Sequence, residues 1–141
     1  MYLFDTDHIE VIGSQTQPEY GRLSLRVSSH PLTVFYYSVV SLHEQSLGAN
    51  AYINRAKDVA GVLRGYEYFG TLLAEYCRMQ VLPYDAAAAA EFGSLRIGKV
   101  RIGAMDLRIA SIALSRGFTV LTRNLRDFTQ VPGLKVEDWT I

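Results

Sequence analysis

The chain has 141 residues, 49% hydrophobic and 20% charged, with 14 basic and 14 acidic side chains in balance. That length gives one domain over 1–141 with a core of its own, and zero net charge excludes a protein that grips nucleic acid by bulk basic excess. No apolar run approaches a membrane span, no basic-then-apolar leader precedes Asp5 and Asp7, and the one cysteine cannot close an internal disulfide; together these imply a cytoplasmic protein.

Tyr2-Leu3-Phe4 is a short apolar run, and Asp5-Thr6-Asp7 follows it at once. A continuous apolar strand leading straight into a helix is how a parallel α/β domain opens. Asp5 then stands at the carboxyl end of the strand, and Thr6 and Asp7 are available to cap the helix. A loop and a second helix, around Leu23, Leu25 and Val27, fill 14–29. The β-branched and aromatic run from Leu32 to Ser38 predicts a second strand. Ser38 or Ser41 caps the helix after it, with Glu44 in or near its first turns. From about Val39 to Met79 the pattern gives two helices divided near Asn54 to Val59. The second carries Val62, Leu63, Tyr66, Phe69, Leu72, Leu73 and Tyr76 at helical spacing, a stripe suited to a core or a partner-binding face. Cys77 reads as a small apolar residue packed on this helix. Val81-Leu82 is a short third strand, and Asp85 caps an alanine-rich helix reaching about Ile97.

The rest of the chain is organised around residues 102–127. A turn at Gly103 precedes a helix opening near Asp106. Its Leu107, Ile109, Ala110, Ile112, Ala113 and Leu114 make too broad an apolar surface for an exposed helix. Gly117 ends it at a C′ position, with Arg116 at the negative end of the dipole. A buried strand, Phe118 to Thr122, follows, and then a polar loop from Arg123 to Asp127. Beyond a turn at Val131–Leu134, Lys135 to Trp139 supplies a short last strand, with Trp139 packed as a lid on the sheet.

Asp5, Glu44, Asp106 and Asp127 each fall just after a strand or at the start of the next helix, where open α/β sheets place their crevice. Acidic clusters without His or Cys partners suit hard cations such as Mg²⁺ and Mn²⁺. A cation held by carboxylates activates water and stabilises a phosphoryl transition state. Structural readings stand beside this one. Ser41 and Glu44 have the S-x-x-E spacing of a capping box, Asp106 favours a first helical turn, and Asp127 is a loop acid. Thr122 and Asn124 either cap the strand end or hydrogen-bond an acid. His8, His30 and His43 show no zinc spacing, and no nucleophile elbow, P-loop or dinucleotide fingerprint is present. Seven of the 14 basic residues, Arg96, Lys99, Arg101, Arg108, Arg116, Arg123 and Arg126, lie within 96–126, so any nucleic-acid contact is local to them.

LFDTD, SVVSLHE, IGAMDLRIASIAL and TVLTRNLRDFTQVPGLKVEDW occur in the order and spacing of one known family. Together they resemble a PIN-domain ribonuclease, most of all the toxin of VapBC-type toxin–antitoxin pairs, over Tyr2 to Trp139. The resemblance implies a three-layer α/β/α domain with a mostly parallel sheet of four to five strands. It implies that Asp5, Glu44 and Asp106 hold Mg²⁺ or Mn²⁺, with Asp127 as a more variable fourth acid. Thr122 and Asn124 match polar strand-end positions of the family, and Thr6 and Asp7 stand beside the ligands, Asp7 where many relatives have Asn. Endonucleolytic cleavage of structured RNA, a homodimer and inhibition by a small antitoxin follow, with Tyr66, Phe69 and Leu72 as the surface gripping that antitoxin. The alternative is a catalytically silent PIN-like binding module. A D-x-D phosphatase lacks its Thr here, where Ile9 stands, and a receiver domain gives Asp106 and Asp127 no role.

Overall fold

The computed structural model describes residues 1–141. Five strands, β1 (Tyr2–Phe4), β2 (Phe35–Ser38), β3 (Gln80–Leu82), β4 (Thr119–Leu121) and β5 (Lys135–Glu137), form one sheet in the order β3-β2-β1-β4-β5. All four pairings are parallel, so every connection crosses a face of the sheet. The crossovers are α1 (Thr6–Ser14), α2 (Glu19–Ser28), α3 (Val39–Arg55), α4 (Val59–Arg78), α5 (Ala86–Ile97), α6 (Ala104–Arg116) and a four-residue α7 (Leu125–Phe128).

Because side chains alternate across a strand, the sheet divides the interior into two cores. Leu3 and Val120 point into one, with Ala88 and Leu95 of α5 and Leu107, Ile109, Ala110, Ile112 and Ala113 of α6. Phe4 and Leu121 point into the other, with Ile9 and Val11 of α1, Leu23 of α2, and Leu72 and Tyr76 of α4. This is the expected three-layer α/β/α arrangement, and it explains why the strands read as unbroken apolar runs. The chain turns from one half of the sheet to the other between β1 and β4, and the carboxyl ends of those two strands therefore border a crevice.

Several elements differ from their predicted form. Leu32–Val34 is a 3₁₀ turn and not strand, because neither neighbour reaches it: the pairing with β1 begins at Phe35 and that with β3 at Tyr36. Thr6 and Asp7 do not cap α1; Asp5 does, its carboxylate accepting from the Thr6 N–H at 2.8 Å. The loop after β4 contains α7, which seats Phe128 in the first core. Cys77 is exposed, one position past the inward-facing Tyr76. The predicted α4 stripe also splits: Leu72 is in the core, while Leu63, Tyr66, Phe69 and Leu73 face outward. Trp139 lies just past β5, buried against Tyr2 of β1, Phe35 of β2 and His30, and so packs as a lid on one face of the sheet, as expected.

Gly117 closes α6 at φ 68°, donating its N–H to Leu114 and turning the chain into β4. A Cβ is sterically disfavoured in that conformation. Gly117→Ala should lower stability by about 1 kcal/mol, seen as an earlier urea midpoint with an unchanged slope.

Candidate active site

Asp5 immediately follows β1, and its backbone N–H donates to Leu121 O of β4 at 2.9 Å. The carboxylate is therefore fixed at the floor of the crevice, 5% exposed. One oxygen caps α1, and the other accepts from the Thr122 hydroxyl at 2.7 Å. Glu44 arrives from the second turn of α3. That helix is capped by Ser38, whose hydroxyl accepts from the Ser41 N–H at 3.0 Å. The capping-box reading of Ser41 and Glu44 is thus incorrect, and the Glu44 carboxylate instead accepts from the Thr6 hydroxyl at 3.1 Å. Asp106 comes from the first turn of α6. One oxygen from each of Asp5, Glu44 and Asp106 lies within 4.8 Å of the other two.

Asp127 is not in that cluster. The Asn124 side-chain amide donates to Asp106 Oδ2 at 3.2 Å and to Asp127 Oδ2 at 3.1 Å, and so links the fourth acid to the third. Thr122 is buried and serves as a hub: its hydroxyl donates to Asp5 and accepts from the Asn124 N–H at 3.0 Å. Thr6, Thr122 and Asn124 all bond an acid of the crevice, so strand-end capping alone does not describe the last two.

Asp7 is occupied elsewhere. One oxygen faces His8 Nδ1 at 2.8 Å and the other accepts from the Arg123 N–H at 2.8 Å, tying α1 to the loop that carries Asn124. His8 is fully buried, and its Nε2 accepts from the Trp139 N–H at 3.2 Å. A backbone N–H only donates, so Nε2 carries no proton and Nδ1–H is the donor to Asp7. Sequence reasoning assigned His8 no role. Its only local signal is a place on the buried face of α1 beside Ile9. His43 is exposed on α3.

The electrostatics follow from this crowding. Burial, and then the charge of Asp7, push Asp5 up to about 7. Burial also raises Glu44 and Asp106; the Thr6 hydrogen bond opposes the shift at Glu44, and the Asp127 charge adds to it at Asp106. Three oxygen donors that resist ionising together are the donor set of a hard divalent cation, which would relieve both their repulsion and their burial. The residues present fit such an ion.

In sequence, the chain is 30% identical over 142 residues to the tRNA(fMet)-specific endonuclease VapC of Salmonella typhimurium, covering 98% of this chain and 97% of that protein. The chain belongs to the VapC family of PIN-domain ribonuclease toxins. It is also 28% identical over 122 residues to ribonuclease VapC1 of Rickettsia felis, covering 84% of this chain and 85% of that one. The toxin fold of the DNA-bound VapBC crystal structure from Salmonella typhimurium matches with a TM-score of 0.74 at 29% identity, over 98% of this chain and 97% of that one. No family model matches the chain. As a VapC protein the chain is a nuclease, and its acidic crevice can bind a metal.

Two outcomes test this geometry. Asp5 has a folded value of about 7 against an ordinary 3.8, so the native state holds the extra proton between them. The metal-free protein should then be most stable below that window and lose stability as pH rises through it, the reverse of a salt-bridged acid. Asp5→Asn should flatten this dependence in urea unfolding followed from about pH 4 to about pH 7. His8→Ala should destabilise by about 2–4 kcal/mol, since it leaves a cavity and unpairs the Trp139 N–H; a chemical-denaturation midpoint close to wild type would contradict the structural role of the Asp7–His8–Trp139 contacts.

Proposed function

We propose that this single PIN-like domain, residues 1–141, is a Mg²⁺- or Mn²⁺-dependent endoribonuclease and the toxin of a cytoplasmic toxin–antitoxin pair. The convergence of Asp5, Glu44 and Asp106 within 4.8 Å at the β1–β4 crevice carries the reading. A divalent cation bound there supplies Lewis acidity toward water and toward a phosphodiester oxygen. Asp5, Glu44 and Asp106 hold it. Thr6 and Thr122 fix two of those carboxylates by hydrogen bonds, and Asp7 holds the loop that follows β4. Asn124 joins Asp106 to Asp127 by hydrogen bonds, so that Asp127 completes or adjusts the acidic site.

The substrate is structured RNA, with tRNA the first choice because the Salmonella relative is named for tRNA(fMet). A cognate antitoxin is the partner, as in the VapBC complex that shares the fold. Tyr66, Phe69 and Leu73 offer exposed apolar area on α4 for that antitoxin or for the second subunit of a homodimer. No helix is long and apolar enough to cross a membrane. A catalytically silent binding module would have no need to keep three acids together at a cost in ionisation, so that alternative is disfavoured.

Asp5→Asn, Glu44→Gln and Asp106→Asn should each reduce cleavage of total cellular RNA by at least about a hundredfold, while Asp127→Asn should cost about tenfold to a hundredfold. EDTA should abolish discrete fragments from the wild-type protein, and Mg²⁺ or Mn²⁺ should restore them. Wild-type activity in Asp106→Asn, or fragments that persist in EDTA, would overturn the assignment.

A further inference from the structure

Neutral overall charge conceals a segregation. From Phe92 to Arg126 the chain carries seven basic residues and a single acid, Asp106. Of those seven, only Arg116 has an ion-pair partner, Asp85 at 2.7 Å. The unpaired charges concentrate at the turn between α5 and α6, where Arg96, Lys99, Val100, Arg101 and Ile102 line a cavity of about 580 Å³. The guanidiniums of Arg96 and Arg108 both lie over the ring of Phe92, each 5.9 Å from its centre. Lys99 is held at φ 60°, a left-handed conformation that few residues with a Cβ adopt.

Cations gathered without carboxylates repel one another, and an anion with spaced charges removes that repulsion. The position of the turn indicates which anion. Gly103, two residues past Arg101, caps α6, and a Cβ built there would lie 3.8 Å from Asp106 Oδ2, so the turn runs into α6 beside one acid of the crevice. Three carboxylates repel a phosphodiester backbone, and positive charge beside them offsets that repulsion. Arginine suits the task because its planar donors pair with two phosphate oxygens at once. Phosphate contacts of this kind set register without reading sequence.

We propose that the α5–α6 turn is a phosphate-binding subsite, in which Arg96, Lys99 and Arg101 hold RNA backbone phosphates flanking the one that is cut. The proposal rests on the ribonuclease reading above. An acidic stretch of the antitoxin is the other polyanion this turn could meet, but nothing about a protein partner requires its charge to lie beside the three carboxylates.

The test uses purified full-length protein free of antitoxin, with unfractionated tRNA as the probe. Binding is measured in EDTA across a salt series, and cleavage is measured separately with Mn²⁺. Combined Arg96→Gln, Lys99→Gln and Arg101→Gln should weaken binding at least tenfold at low salt and flatten the dependence of log Kd on log salt by about 2, at roughly 0.7–0.9 per phosphate contact. Its calorimetric Mn²⁺ affinity should match wild type, which shows that the crevice is intact. Lys135→Gln removes a charge from the amino end of β5, away from the crevice, and should leave the slope unchanged. Wild-type slope and affinity in the triple variant, while the wild-type protein cleaves RNA, would overturn the subsite alone. Unchanged RNA binding with lost antitoxin binding would assign the turn to the protein partner and also overturn it. Absence of both binding and cleavage in the wild-type protein would overturn the subsite together with the ribonuclease reading.

Discussion

A carboxylate that is almost wholly out of water is the constraint to which the rest of the structure answers. Asp5 is fixed by the β1–β4 pairing at its N–H and by the α1 cap at its side chain, so it cannot turn toward solvent. Its charge is opposed by burial and by Asp7, and Asp106 adds to the same repulsion. Two donors, the Thr6 N–H and the Thr122 hydroxyl, offset part of this cost without removing it. The folded chain therefore keeps an unsatisfied demand for positive charge at one point.

The topology makes that demand possible. A sheet covered on both faces leaves solvent access at its edges and at its strand ends. The reversal of strand order opens a crevice only between β1 and β4. Each acid is delivered by a different junction, Asp5 where β1 meets α1, Glu44 on the helix that follows β2, and Asp106 where the α5–α6 turn enters α6. Asp106 rides on α6, whose Leu107, Ile109, Ala110, Ile112 and Ala113 are buried to within 1%. The loop carrying Asn124 and Asp127 is pinned by Phe128 below and by Asp7 from the side. His8 extends that pin to Trp139, so the end of the chain helps to fix the geometry at its beginning.

Much of this was legible in the residues. Apolar runs marked the buried parallel strands, and helix-spaced apolar positions with Asp85 and Gly117 marked helix ends. Asp5, Glu44 and Asp106 stood out because each falls just after a strand or near the start of a helix. What the sequence concealed was long-range. His8 meets a backbone donor 131 positions away, and no local pattern encodes that distance. Ser41 and Glu44 had capping-box spacing, but Ser38 captured the cap three residues earlier and freed Glu44 to meet Thr6. Leu32 to Val34 had strand propensity without a partner strand long enough to reach them. The outward turn of Tyr66 and Phe69 against the inward turn of Leu72 depended on where α3 lies, which periodicity alone does not state.

The central claim is that these three acids form one cation site whose occupation deprotonates Asp5. Titrating Mn²⁺ into metal-free protein near pH 6, by calorimetry in two buffers of different ionisation heat, measures binding and proton release together. One ion bound with release of a large fraction of a proton, both lost in Asp5→Asn, is the predicted result. Binding without proton release, or undiminished binding in that variant, would contradict the account.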